Sequence, residues 1–290
     1  MTHKILVTGA SSGFGTLIVH ALLAEGHAVA GSMRDPDGRN AAVAKALRDA
    51  GASVVAIDVT DDASVDAGVQ AAVEALGGLT VLVNNAGIGV SGLIEAFTPQ
   101  DFQRVFDVNV FGVQRMNRAV APLFREQGHG LLLHISSLLG RIAVPFYGPY
   151  NATKWAVEAI AEGYRVELSA FGVEVALIEP GGYPTAFMDR LLRPSDAART
   201  ASYGPMADAP EQTLKGFHEM LVANPAQDPA NVARAVVARV GAPAGEGPLR
   251  TVVDSLGMGV GVEALNQGLE QVTEAVYGNM GIAHMLTPTT

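Results

Sequence analysis

Lys4-Ile5-Leu6-Val7-Thr8-Gly9-Ala10-Ser11-Ser12-Gly13-Phe14-Gly15 opens the chain with an apolar run that breaks into a glycine-rich turn. A continuous Ile/Leu/Val run is what a strand buried on both faces presents, and a helical pattern follows it over residues 14–25. Glycines at 9, 13 and 15 let the backbone reverse sharply. They also let the amides of the next helix N-terminus approach an anion such as a pyrophosphate. The spacing is G-x-x-x-G-x-G rather than the commoner G-x-G-x-x-G, and a tight turn without a ligand is the other reading.

Outward from this turn the same alternation repeats. Apolar runs at 28–32, 53–57, 79–83, 130–135 and 173–178 read as strands, with 249–253 as a seventh. Helical patterns cover 61–76, 101–125, 152–171 and 228–240. Strands alternating with helices predict an α/β fold, a doubly wound parallel sheet whose ligands bind beyond the carboxyl ends of the strands. One domain over residues 1–290 accounts for the pattern.

Composition narrows the function. The formal charge of −10 argues against nucleic acid or an anionic membrane as partner. With no cysteine, disulfides, zinc–thiolate sites and thiol catalysis are excluded. The seven histidines are scattered singly, so no metal is expected, and His134, inside an apolar run, reads as a satisfied strand residue. No run of ~18 apolar residues predicts a membrane span. The first residues read as a strand rather than a signal peptide, and the expected location is the cytoplasm.

The strand ends carry the polar residues. After the second strand, Met33 stands where an NAD-binding fold places an acid for the ribose hydroxyls, and Arg34 follows it. An arginine there accommodates a 2′-phosphate, which favours NADP and leaves NAD open. Asp58 and Val59 end the third strand, and Asn84-Asn85-Ala86-Gly87 the fourth. Asp58 is also a candidate local cap, through Thr60 or Asp61. Two further glycine clusters, at 87–92 and 257–261, read as loops.

Tyr150-Asn151-Ala152-Thr153-Lys154 places a phenol and an ammonium four residues apart, on one helix face. A free phenol titrates near ~10, and a nearby cation favours the phenolate, so the pair predicts a lowered Tyr150 able to exchange a proton with a substrate oxygen.

Together these residues resemble the short-chain dehydrogenase/reductase family over residues 4–185. The match runs through the glycine turn, Asn84-Asn85-Ala86-Gly87, Asn109, Ser137, Tyr150 to Lys154, and Pro180-Gly181-Gly182-Tyr183-Pro184-Thr185. Local details at Ser12–Gly15, Arg34–Pro36 and Glu179–Gly181 resemble the subgroup related to 17β-hydroxysteroid dehydrogenases. The resemblance implies a Rossmann-type domain of about seven strands that interconverts a ketone or aldehyde and an alcohol. It implies Tyr150 as general acid/base and Lys154 as the group that tunes it and binds the nicotinamide ribose. Ser137 would hydrogen-bond the substrate carbonyl, with Ser136 its neighbour, and Asn109 would hold a relay water. Gly9, Ser11, Ser12, Gly13, Phe14, Gly15, Arg34, Asp58, Val59, Asn85, Ala86, Gly87, Pro180, Gly181 and Thr185 would line the cofactor. A homodimer or homotetramer is implied through the helices at 108–125 and 152–171. An NAD-preferring enzyme and a nucleotide-sensing protein without chemistry are the alternative readings.

Residues 186–227 depart from any motif. They read as a substrate lid of two short helices over a fairly apolar small-molecule substrate. The tail, 254–290, has no assigned role.

Overall fold

The computed structural model describes residues 2–289. Seven strands, β1 (Lys4–Val7), β2 (Ala28–Met33), β3 (Ser53–Ala56), β4 (Val81–Asn84), β5 (Gly130–Ile135), β6 (Val173–Pro180) and β7 (Arg250–Val253), form one sheet in the order β3-β2-β1-β4-β5-β6-β7. Every pairing is parallel. The strand order reverses between β1 and β4, and a crevice opens at the carboxyl end of such a point.

Alternation along each strand divides the core into two layers. Ile5 and Val7 face α1 (Gly13–Ala24), α2 (Ala41–Asp49) and α9 (Ala230–Val240), against Ile18, Leu22, Leu47 and Val236. Leu6, Leu82 and Leu132 face α3 (Asp62–Leu76), α5 (Gly112–Gln127) and α6 (Gly148–Leu168), against Val69, Met116, Phe124 and Val157. Between α3 and α5 runs α4 (Pro99–Phe106).

Several boundaries differ from the sequence pattern, each for a local reason. The helix expected at 152–171 starts at Gly148, because Pro149 in its first turn needs no amide partner, and a 3₁₀ turn replaces its end beyond Leu168. Tyr150 therefore lies within the first helical turn. The helix expected at 101–125 begins at Pro99, where Thr98 and Asp101 cap each other, and a π-turn at Asp107–Phe111 splits it. α2 has no counterpart in the sequence reading; its helical pattern is only nine residues long.

The segment read as a lid holds α7 (Ala197–Ser202) and α8 (Ala209–Ala223), so one of its two helices is long rather than short. The tail is mostly α10 (Gly259–Met280), which starts inside the glycine cluster read as a loop. Gly257, at φ 84°, makes the turn into it. The other cluster, 87–92, is a loop as expected and carries the single bridge from Val90 to Leu192 that ties the lid down. Among the described residues no helix is long and apolar enough to cross a membrane.

His134 is fully buried in β5. Its Nδ1 lies 3.3 Å from Asn84 Nδ2, which can only donate, so Nδ1 accepts and Nε2 carries the hydrogen; Nε2 has no partner. The expected satisfied histidine is thus half-satisfied. Burial first, and the Lys154 charge second, push its pKa down to about 3. Below the ordinary 6.5 the unfolded chain takes a proton there that the folded chain refuses, so stability falls with pH in that window. His3 and His27 are lowered as well and add the same sign. Denaturant unfolding between about pH 7 and pH 5 should show this loss, and His134→Gln should flatten the slope; an unchanged slope contradicts the assignment.

Candidate active site

The turn after β1 explains its glycines by contact. Gly9 has φ 68°, and a Cβ there would stand 2.8 Å from Ala86 Cα. A Cβ on Gly15 would stand 2.2 Å from Gly9 O. No side chain fits either place. The turn is stitched to the loop after β4: Thr8 Oγ1 accepts from the Asn85 and Ala86 amides at 2.9 and 3.0 Å. Asn85 Nδ2 returns a bond to Thr8 O at 2.8 Å. Ser12, the N-cap of α1, makes no side-chain cap, so the first-turn amides of α1 are not taken up by it.

Above this edge lies a cleft of about 1050 Å³, at the upper end of the few hundred to roughly 1000 Å³ typical of small-molecule sites. Of the residues singled out from sequence, Gly9, Ser11, Ser12, Gly13, Phe14, Arg34, Asp58, Val59, Asn85, Ala86, Gly87, Ser137, Tyr150, Lys154, Pro180, Gly181 and Thr185 line it. Gly15 and Asn109 do not; Gly15 backs the turn, and Asn109 sits behind the wall. The edge fits a dinucleotide, with a cradle closed to any Cβ and helix amides left uncapped.

At the far end, Arg34 Nη1 is 4.0 Å from Asp58 Oδ2, the arginine exposed and the carboxylate half-buried. Burial works to raise the Asp58 carboxyl, but hydrogen bonds from Thr60 and the field of Arg34 outweigh it and hold it below the usual range. The Asp58 side chain accepts from Thr60 N at 3.0 Å and Thr60 Oγ1 at 2.7 Å, while Asp61 caps α3. Arg39 and Asn40 also line this end. The sequence reading passed over both, since a turn of chain between 35 and 40 conceals that they return to the strand end.

At the near end Lys154 and Tyr150 meet under the lid. Lys154 Nζ donates to Ile135 O at 2.7 Å and lies 5.5 Å from the Tyr150 ring centroid. Burial pushes the Lys154 ammonium down to about 8, against an upward pull from Glu158. For Tyr150 burial dominates too and pushes the phenol above its usual value, with only a Ser137 hydrogen bond pulling down. The direction is thus opposite to the expected lowering: desolvation of a phenolate outweighs the Ser137 hydrogen bond, and Phe187 of the lid packs 5.8 Å from the ring. Ser137 Oγ accepts from Leu139 N at 3.1 Å and donates to Pro180 O at 3.4 Å. Asn109, in the π-turn, accepts from Ile88 N and donates to Ile88 O, each at 2.8 Å, and donates to Thr153 Oγ1 at 3.1 Å. Its side chain thereby locks the wall to α6.

Beyond Tyr150 the cleft is apolar, lined by Ile142, Val144, Phe146, Phe187, Leu192 and Phe217. Phe146 holds φ 70°, fixed by the Gly92 amide donating to its carbonyl at 2.9 Å.

Comparison with known proteins agrees with this geometry. Residues 3–195 match the family described as short chain dehydrogenase. A 3-ketodihydrosphingosine reductase of Bacteroides thetaiotaomicron is 36% identical over 185 residues, covering 64% of this chain and 65% of that one. The chain thus spans just under two thirds of that relative's length. A 3-alpha-(or 20-beta)-hydroxysteroid dehydrogenase of Mycobacterium tuberculosis is 41% identical, covering 68% and 74%. Among solved structures, a short-chain dehydrogenase from Streptomyces avermitilis superposes with a TM-score of 0.74 at 29% identity, covering 97% and 98%. One from Burkholderia phymatum in complex with NAD gives 0.71 at 28%, covering 87% and 89%.

The glycine cradle yields a direct test. Gly15→Ala should weaken binding of a reduced nicotinamide dinucleotide by about tenfold or more, followed through energy transfer from Trp155 to the bound dihydronicotinamide. Gly163→Ala, at an exposed helix position where nothing lies within 4 Å, should leave binding unchanged and add roughly 0.5–1 kcal/mol of stability. Equal binding by the two variants contradicts the cradle.

Proposed function

Because the chain belongs to the short chain dehydrogenase family, we propose that it is an oxidoreductase that reduces an apolar ketone or aldehyde to an alcohol, with NADP preferred over NAD. The observation that carries this reading is the convergence of Ser137, Tyr150 and Lys154 at one end of a cleft whose other end is the glycine cradle. A nicotinamide cofactor is supported by the neighbour solved with NAD; the preference for NADP rests on Met33, in place of the acid, and on Arg34.

A bound dihydronicotinamide supplies the hydride. The chain supplies the proton and the geometry. In this reading Ser137 Oγ donates to the substrate carbonyl oxygen and fixes it beside Tyr150. Burial keeps the Tyr150 phenol protonated, which is the form that can hand its proton to the oxygen as charge develops there. Lys154, anchored on Ile135 O, holds the nicotinamide ribose and stabilises the phenolate left behind. Asn109 keeps α6 fixed to the wall, and in this reading it would anchor a water that connects Lys154 to solvent as a proton relay. Gly9, Ser11, Ser12, Gly13 and Phe14 take the pyrophosphate side. Asp58, Val59, Asn85, Ala86 and Gly87 take the adenosine, and Pro180, Gly181 and Thr185 the nicotinamide.

The apolar wall beyond Tyr150 suits a bulky carbonyl compound, and the names of the two relatives agree with that in kind. Residues 1–290 act as one cytoplasmic domain. Phe111, directly before α5, and Trp155, two turns into α6, are large apolar side chains about half exposed, and they support a homodimer or homotetramer through those helices.

Tyr150→Phe should cut turnover of an apolar diketone such as phenanthrenequinone by at least about a hundredfold while NADPH still binds. Full turnover in that variant contradicts the assignment of the acid. Arg34→Ala should weaken NADPH by about tenfold or more and leave NADH nearly unchanged. If the wild type binds NADH better, the chain is an NAD enzyme and Arg34 a solvated loop residue.

A further inference from the structure

Behind the catalytic face, on the side away from the cleft, five charged side chains meet in the interior. Arg141 follows the turn that begins at Ser137. Glu158 lies one helical turn beyond Lys154 on α6, and Glu162 one turn further. Glu179 is the penultimate residue of β6, directly before Pro180 and Gly181, and Arg250 opens β7. Arg141, Glu158 and Glu179 are nearly or wholly excluded from solvent. Arg250 Nε donates to Glu158 Oε2 at 2.9 Å and lies 3.5 Å from Glu179 Oε1. Arg250 also pairs with Glu162.

Arg141 and Glu179 make no direct hydrogen bond; Arg141 Nε and Glu179 Oε1 stand 4.0 Å apart, at the outer reach of an ion pair. What joins them is the amide of Asn266, from the middle of α10. Arg141 Nε donates to Asn266 Oδ1 at 2.7 Å, and Asn266 Nδ2 donates to Glu179 Oε2 at 2.6 Å. The amide orientation is forced, since a guanidinium can only donate and the carboxylate here accepts. α10 is itself pinned on both sides of this contact: Gly259 N donates to Asp254 Oδ2 at 3.0 Å, and Glu270 pairs with Arg165 of α6 at 2.8 Å. Asn266 is thus held in place and reaches into the protein, beyond the residues that match the family.

We propose that Asn266 is a positioning residue for the reaction: by bridging Arg141 and Glu179 it holds the Ser137 turn and the Pro180–Gly181 loop at a fixed separation on either side of Tyr150. The two segments it ties already touch in the site, where Ser137 Oγ donates to Pro180 O at 3.4 Å. One carries the carbonyl-orienting hydroxyl and the other the nicotinamide wall, so their spacing sets the distance between the substrate carbonyl and the cofactor. Four polar atoms of the neighbourhood, Arg141 Nη2, Glu158 Oε1, Glu179 Oε1 and Ser136 Oγ, have no partner. The cluster therefore has few bonds to spare, and losing the bridge leaves Arg141 and Glu179 free to re-pair directly. Closing the gap between them would draw the two walls together. Burial, and then the neighbouring Glu158, already push Glu179 up to about 8, with the Asn266 bond acting against them.

The inference rests on the oxidoreductase reading, and the test separates the two. Asn266→Leu, close in volume, and Asn266→Ser, which admits a bridging water, are compared with wild type and with Tyr150→Phe, using phenanthrenequinone and NADPH. The expected result is a kcat lowered about tenfold or more in the Leu variant and less in the Ser variant, with NADPH Kd and ketone KM within about threefold. A role in stability alone would lower the melting temperature and leave kcat intact below it; that outcome overturns the proposal. Should the Leu variant fail to fold, the Ser variant decides by the same criterion. Turnover retained in Tyr150→Phe would instead sink the reading on which the proposal stands.

Discussion

An ammonium taken out of water and set against a backbone carbonyl is the constraint around which this site is built. Lys154 Nζ bonds Ile135 O, the last residue of β5, and is buried there. Stripping water from an isolated charge costs several kcal/mol even after relaxation, roughly. The helix that carries Lys154 therefore cannot shift without leaving that charge unpaired. Its first turn, with Tyr150, is fixed by the same bond, and so is the distance from the phenol to the sheet edge. Asn109 adds a second tie from the π-turn to Thr153. The π-turn supplies the extra residue that lets one long helical stretch turn a polar side chain inward at that place.

The sheet edge is held as firmly. Asn85 donates twice to Thr8 across β1 and β4, where the strand order reverses, and the contacts at glycines 9 and 15 are with backbone, the Ala86 Cβ and the Asn85 amide. The cradle is thus a consequence of two neighbouring strands ending at the same height. Lid and tail are fastened from outside: Leu192 pairs with the loop after β4, and α10 reaches through Asn266 to Glu179. The resulting cleft has a rigid polar floor and an apolar roof drawn from segments with no motif.

Legibility in the sequence followed the same division. Short, chemically exacting stretches announced themselves, because glycine at 9, 13 and 15 or Tyr and Lys four apart have few other uses in that order. Strand positions were readable to within about two residues, because strands buried on both faces are continuously apolar. The sign of the Tyr150 shift was not readable. It depends on burial by segments distant in sequence, and Phe187, 37 positions away (187 − 150), is one of the residues packed near the ring. α10 stayed hidden because its glycines mimic a loop, and its role depends on bonds to partners 87 and 125 positions away. Asp58 illustrates a middle case: the helix cap falls to Asp61 instead, while Asp58 lines the cleft with its side chain taken by Thr60.

The central claim is that this cleft brings a dihydronicotinamide and a carbonyl together for direct transfer. The most direct measurement supplies reduced cofactor deuterated at the nicotinamide C4 position together with an apolar aryl alkyl ketone such as acetophenone, whose alcohol cannot enolise, and analyses the product by mass spectrometry and NMR. The account predicts one deuterium on the carbinol carbon, delivered from one face of the cofactor only. Alcohol formed without the label, or no alcohol from a protein that binds the cofactor, would contradict it.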